Sequence, residues 1–231
     1  LLEAEQHYLI GTHDGEDLNR IDYSSPEESP LIMKNIASLS DDGTLSGKLT
    51  LKGDGAIDSR LRRMASSRSK AGLETYLCGL FDKISQSVII KNYRHGEVND
   101  FLKTMWWEIE YELPQYAFEV EDGLEFQSPM LNLALTNSYF FRLANYELPA
   151  ERNADLFLYY TQAISIEEEI SLPGHFELSG DIEHISVDDT YVFFEERVSL
   201  TKRKLTVNQR LELRRRQIPP DKYSGFRDVI A

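Results

Sequence analysis

The chain has 231 residues, enough for one large β domain or two small ones. Its hydrophobic content of 41%, with 11% aromatic, supports a packed core and excludes global disorder. A formal net charge of −14 argues against nonspecific binding to nucleic acid or anionic membrane, both of which need a cationic surface. No run of 18 apolar residues occurs, so no helical membrane insertion is expected. The chain opens on Leu1 rather than Met, and an upstream segment is therefore expected. Cys78 is the single cysteine, which rules out an internal disulfide and a thiolate metal cluster.

Residues 1–30 are polar and turn-rich, with room only for short strands. The pattern firms up at Leu31. Asp41-Asp42-Gly43 signals a turn, and Leu45, Leu49, Leu51 and Ile57 then share one parity, which predicts a half-buried strand. Gly47, Gly53 and Gly55 predict a bend or bulge within it. The period changes over Ser69–Ile84, where Leu73, Tyr76, Leu77, Leu80, Phe81 and Ile84 form one apolar stripe on a helix capped by Ser69. Strands are predicted again over Ser87–Tyr93 and from Phe101 to Leu113, ended by Pro114. Tyr116–Val120 and Leu124–Phe126 flank Asp122-Gly123 as a hairpin.

The proline- and asparagine-rich stretch 129–155 reads as a long crossover or boundary. After it, even-numbered apolar residues from Leu156 to Leu172 predict the longest strand, its face interrupted only by Gln162 and Glu168. Tyr191–Leu200 and Leu205–Leu213 are two further strands. Between Glu167 and Glu196 there are ten acidic and no Lys or Arg residues; between Arg197 and Arg216 there are eight basic residues and one acidic. Antiparallel neighbours with that sorting would set opposite charges across the wet face, Lys204 and Arg210 among them. The expected fold is mainly β, α+β in its first part: two antiparallel, sandwich-like modules with one substantial helix near 69–84. Residues 1–135 form the β-rich module with that helix. Residues 136–231 form the C-terminal antiparallel module, ending in a short helix or cap.

Residues with chemical potential are few. Cys78 would have to open a helix or adjoin a histidine to act as a nucleophile; it falls in mid-helix instead and reads as a small buried residue. His7, His13, His95, His175 and His184 show no metal-ligand spacing. Asp41-Asp42-Gly43 and Asp188-Asp189 lack the alternating oxygen ligands of a calcium loop and read as turns. Of Trp106-Trp107, Trp107 belongs to the core face, and Trp106 is the candidate ligand-binding residue on the other. Arg214-Arg215-Arg216 reads as a solvated strand end rather than a nucleic-acid patch. No phosphate loop or serine nucleophile elbow occurs, and no cofactor is implied.

Several motifs resemble a bacterial family. Asp42-Gly43-Thr44-Leu45-Ser46-Gly47, the stretch from Arg152 to Leu172-Pro173-Gly174, and the closing Ile218-Pro219-Pro220-Asp221-Lys222-Tyr223-Ser224-Gly225-Phe226-Arg227 resemble the region after the core of Bacteroidetes-type, transglutaminase-like proteins. The resemblance spans about residues 30–231. It implies a C-terminal β region, a domain of unknown function, that follows a papain-like core with a Cys-His-Asp triad. No triad residue maps onto this chain: Cys78 does not open its helix, and His95 follows it in a turn. The resemblance thus implies a non-catalytic accessory region in a periplasmic or extracellular protein. Its partners would be the upstream transglutaminase-like core and a protein or peptide. A free-standing glycan- or ligand-binding sandwich centred on Trp106, and a cysteine enzyme using Cys78, are the alternatives.

Overall fold

The computed structural model describes residues 6–11, 13, 15, 17–66, 69–121, 123–141, 143, 148–174 and 184–230. The N-terminal part holds β1 (His7–Tyr8), β2 (Asn19–Arg20), a 3-10 turn (Pro26–Glu28), β3 (Pro30–Leu39) and β4 (Leu45–Gly53). Two helices follow, α1 (Gly55–Ser66) and α2 (Lys70–Phe81), then β5 (Ile89–His95), β6 (Trp106–Leu113), β7 (Phe118–Val120) and β8 (Gly123–Glu125). Helix α3 (Pro129–Thr136) leads to β9 (Leu156–Phe157), β10 (Gln162–Ser171), β11 (Ile185–Asp188), β12 (Val192–Thr201) and β13 (Lys204–Leu213). The described chain closes on β14 (Gln217–Ile218) and α4 (Pro220–Ile230). Asp122 and His175 lie outside the described residues.

The period-two runs form an eight-stranded sheet in the order β11-β12-β13-β10-β3-β4-β6-β5. Each half is antiparallel, and the halves meet at one parallel seam, β3 against β10. The expected antiparallel groups are therefore present, and the mainly β class holds. They are not sandwiches: they join edge to edge through the seam into one mixed sheet. Alternation along a strand shows which residues are buried but not whether helices or a second sheet cover them. Here helices cover the inner face. Helix α1 packs on β3, β4 and β6, α2 on β5, α3 on β10, and α4 against β12. Leu49, Leu51, Trp107 and Ile109 meet Ile57, Leu61, Leu77 and Phe81 in one continuous core.

Two predicted helix ends agree with the structure. Ser69 caps α2 by accepting the Gly72 N–H at 3.3 Å, and the C-terminal cap is helix α4. Four elements differ from the sequence expectation. The strand expected from Phe101 begins only at Trp106, after a loop. The strand predicted to run from Leu45 past Ile57 stops at Gly53, and α1 begins two residues later. Gly53 makes that turn possible, because a Cβ there would lie 2.2 Å from Ile57 Cγ2 and 2.8 Å from the Pro30 carbonyl. The 129–155 crossover contains α3, started by Pro129 at its first position. The long strand from Leu156 is two strands. β9 pairs with β14, the chain bends at 158–161, and β10 joins the large sheet.

A buried arginine fixes the loop before β6. The Arg62 guanidinium donates to both oxygens of Asp58, at 2.7 and 3.2 Å, and to the carbonyls of Glu97, Val98 and Lys103. Phe101 covers it with its ring centroid 5.0 Å away. Asp58 also accepts the Met105 N–H at 2.7 Å, so α1 sets where β6 and Trp106 begin.

Candidate functional site

The inner face of the sheet carries a polar cluster at the seam. Glu168 on β10 and Asn35 on β3 are opposite each other, and both are fully buried. Asn35 Nδ2 donates to Glu168 Oε1 at 2.7 Å, while Asn35 Oδ1 accepts from the Tyr111 hydroxyl at 3.0 Å. The Ser128 hydroxyl and the Met130 backbone N–H also donate to Glu168. Ser128 is the N-cap of α3, and its own side chain does not cap that helix. Glu168 thus serves as a cap supplied from another element, at the end of the helix that favours an anion. Burial raises the Glu168 pKa, and the hydrogen bonds from Ser128, Asn35 and Met130 oppose the rise. Burial and the nearby Glu168 carboxyl also push the Tyr116 hydroxyl up to about 12, and burial raises that of Tyr111. Among the described residues no cation pairs with Glu168.

This cluster ties β3, β6, β10 and α3 together. Next to it lies an open cleft of about 500 Å³ lined by Tyr116, Phe118, Phe126, Gln127 and Asn132. The Tyr116 hydroxyl donates to the Gln127 carbonyl at 3.0 Å, which closes the base of the β7–β8 hairpin.

Trp107 is fully buried and Trp106 is half-buried on the opposite face, as their parity predicts. Arg94 lies 5.8 Å from the Trp106 ring centroid, held by an ion pair with Glu108, which Lys48 also contacts at 3.1 Å. Those two cations keep the Glu108 carboxyl below its usual range, Arg94 contributing most. A cleft of about 230 Å³ adjoins the indole, lined by His95, Glu97, Asp100 and Lys103.

Cys78, expected to be buried, is instead partly exposed on α2, well past the Ser69 cap. His95 has Nδ1 2.8 Å from the Gly96 carbonyl and its ring 4.6 Å from Trp107. The structure does not bring Cys78 to a helix start. Asp42 accepts from Ser40 Oγ and the Thr44 N–H, a turn arrangement that lowers its pKa. Asp189 accepts the Tyr191 N–H at 2.9 Å, and Asp188 pairs with Arg214 at 2.5 Å. Among the described residues no group of three His, Cys, Asp or Glu side chains could hold a metal ion, and no helix is long and apolar enough to cross a membrane.

The arginine run proves to be divided between two roles. Arg214 is engaged with Glu212 at 2.8 Å and with Asp188. Burial opposes ionisation of Glu212, yet Arg214 and Arg210 hold its carboxyl below the usual range. Arg215 and Arg216 instead line a cleft of about 590 Å³, with Arg20, Phe157, Tyr191 and Gln217. Single-position reading of the run missed this, because Arg20 reaches the cleft from far away in sequence.

No curated protein matches the chain. One solved structure that it resembles is a "putative protease" from Parabacteroides distasonis, at 15% identity and a TM-score of 0.35. That match covers 36% of this chain and 17% of the other, a likeness too slight to carry a conclusion about fold. The sequence profile of a domain of unknown function with a solved structure, DUF3858, matches residues 116–231, and the chain belongs to that family.

Proposed function

We propose that the chain is a non-catalytic region of an exported, Bacteroidetes-type transglutaminase-like protein, lying after that protein's core in the periplasm or outside the cell. It supports the core or holds a protein or peptide beside it. The observation that carries this reading is the work of the closing motif residues. Ile218, Tyr223 and Phe226 are buried, the Tyr223 hydroxyl donates to the Pro149 carbonyl at 2.8 Å, and Arg227 donates to the Ala150 carbonyl at 3.0 Å. The residues that resemble the family therefore fasten α4 to the segment before β9, a scaffold role rather than a chemical one. Deleting the chain from the full-length protein should lower the stability of the core or its activity on protein substrates. Unchanged folding and activity would sink the proposal.

The glycan-binding alternative has its own support in the 230 Å³ cleft beside Trp106. It requires glycan-array binding that Trp106→Ala abolishes. The cysteine-enzyme alternative requires rapid labelling of Cys78 by iodoacetamide at neutral pH in the folded protein, whereas slow labelling is expected.

A further inference from the structure

We propose that the β1–β2 strand pair, with Phe157 and Tyr159 beside it, is the apolar surface on which the upstream core docks. Of the fifteen large hydrophobic side chains exposed among the described residues, five fall within residues 8–23, so the exposure is concentrated there. Leu9 is 68% exposed and Leu18 59%. Phe157, 60% exposed, lines the same cleft as Gln6 and Arg20 at the base of the strand pair. Tyr159 follows Phe157 at the same outward parity, while Leu156, Leu158 and Tyr160 are buried between and beyond them.

The strand pair is fastened at its base. The Ile21 N–H donates to the Gln6 carbonyl at 2.9 Å, and the Tyr23 hydroxyl donates to the Arg214 carbonyl at 2.8 Å. His7 pairs with Arg20 and Tyr8 with Asn19, and the same register continued by one residue sets Leu9 against Leu18. Both residues of β1 and Arg20 of β2 are exposed. A two-stranded ribbon without a buried face is marginal in water, and apolar side chains on it stabilise it only when something covers them. Side chains of this size offer about 150–250 Å² each. Tyr8, Leu9, Ile10, Leu18, Phe157 and Tyr159, each about half exposed, therefore present roughly 600 Å². Covered by an equal area of an occupant, the patch buries about 1,200 Å² in total. That is the lower edge of what two separate proteins need, and it lies well inside the range of about 600–1,500 Å² that joins domains of one chain. The occupant follows from the supporting half of the proposed function, on which this inference rests: there the core reaches this region through β1. A domain linked in that way meets the patch at a high effective concentration and avoids most of the association cost that a second copy bears.

Hydrogen–deuterium exchange compares the full-length protein with the 231-residue chain. Amides of residues 8–10 and 18–20 should exchange at least about tenfold more slowly in the full-length protein. Those of Phe101 and Leu102, exposed elsewhere, should exchange alike in both. Leu9→Asp combined with Leu18→Asp should return the slowed amides to the rate of the 231-residue chain. Circular dichroism melting checks that this variant folds, and Tyr159→Ser replaces it if melting falls. Unslowed exchange in a full-length protein that carries the core, or slowing that survives these substitutions, would overturn the proposal and leave the accessory role standing. A full-length protein without such a core would remove the proposed function itself. The 231-residue chain should sediment as a monomer. A dimer dissociated by the same substitutions would give the patch to a second copy and overturn the proposal.

Discussion

Lys34 and Asn35 are neighbours on β3, and each faces a glutamate on β10, Lys34 opposite Glu167 and Asn35 opposite Glu168. One step along the strand carries the pair from water to the interior. Lys34 and Glu167 form an ion pair at 3.2 Å with side chains 51% and 60% exposed, a geometry that contributes roughly 0.2–1 kcal/mol. Asn35 and Glu168 are 0% exposed. Inside, a lysine would bring a desolvation cost of several kcal/mol. An amide carries no charge and has both a donor and an acceptor, so Asn35 serves Glu168 and Tyr111 together. The difference concerns register as well as energy. No tight turn joins β3 to β10, so the seam lacks the local device that fixes a hairpin. A two-residue slip would set Glu168 opposite Met33 or Ala37 and leave a buried carboxyl unmatched.

The largest expected effect comes from breaking the interior pair. Glu168→Ala leaves the Asn35 amide, the Ser128 hydroxyl and the Met130 N–H without their acceptor and opens a cavity. Urea unfolding at neutral pH should show a loss of about 3–5 kcal/mol. Glu168→Gln keeps an acceptor and removes a buried charge, so its cost should stay below about 1 kcal/mol. Equal losses in the two variants would show that shape, not charge and bonding, matters at 168. The pH dependence sharpens this further. Burial raises the Glu168 pKa in the folded state, so the folded protein holds this proton more tightly than the unfolded chain. The stability that this contributes is complete below the unfolded carboxyl value of about 4.3 and is lost as pH rises through the folded value. Tyr111 and Tyr116, which face the carboxyl, are raised and stay neutral in that window. Wild type should therefore lose stability relative to Glu168→Gln as pH rises from about 4.3 toward neutrality. A constant difference between the two would count against a buried titrating carboxyl.

The next effect concerns the far end of the same network. At Gly47 on β4 a Cβ would lie 2.7 Å from the Tyr111 hydroxyl and 2.9 Å from Ala37 Cβ. Gly47→Ala should cost about 1–3 kcal/mol through overpacking. Tyr111→Phe, which strips the donor from Asn35 Oδ1, should cost about 1–2 kcal/mol. Removing the hydroxyl relieves only the 2.7 Å contact and leaves Tyr111 Cζ 2.8 Å from the added methyl group, so the double variant should lose slightly less than the sum. Additive losses would place the strain at the ring and Ala37 instead.

The sequence shows burial more readily than connection. Every even-numbered residue from Leu156 to Leu172 is buried, so its alternation is real, but it continues unbroken through the bend at 158–161 and cannot reveal two strands. Gln162 and Glu168 look like interruptions of that face, yet both are buried within it. Their partners Phe140, Asn35 and Ser128 come from other parts of the chain. Helix α1 carried a readable signal in Ile57, Leu61 and Met64 at spacings of four and three, which the strand parity ending on Ile57 obscured. Arg62 beside them reads as a surface charge until the loop carbonyls it gathers are in place. The arginine cleft was half visible in the run at 214–216, and only the fold divides Arg214 from its neighbours. Charge sorting held for Lys204, which pairs with Glu169 at 3.0 Å. Arg210 pairs with Glu212 on its own strand and with Glu27.

The smallest expected effect tests the exposed half of the comparison. A double-mutant cycle on Lys34 and Glu167 should give a coupling of roughly 0.2–1 kcal/mol at low salt. At 1 M NaCl, where the screening length is about 3 Å, the coupling should nearly vanish, because both side chains stand in solvent. The Asn35–Glu168 contact, which water and ions do not reach, should keep its coupling under the same salt. Two pairs on the same two strands would then differ in salt response for one reason, the face of the sheet on which each lies. A salt-insensitive Lys34–Glu167 coupling would instead mean that the outer face is covered in solution, and the open side of the sheet would have to be regarded as a contact surface.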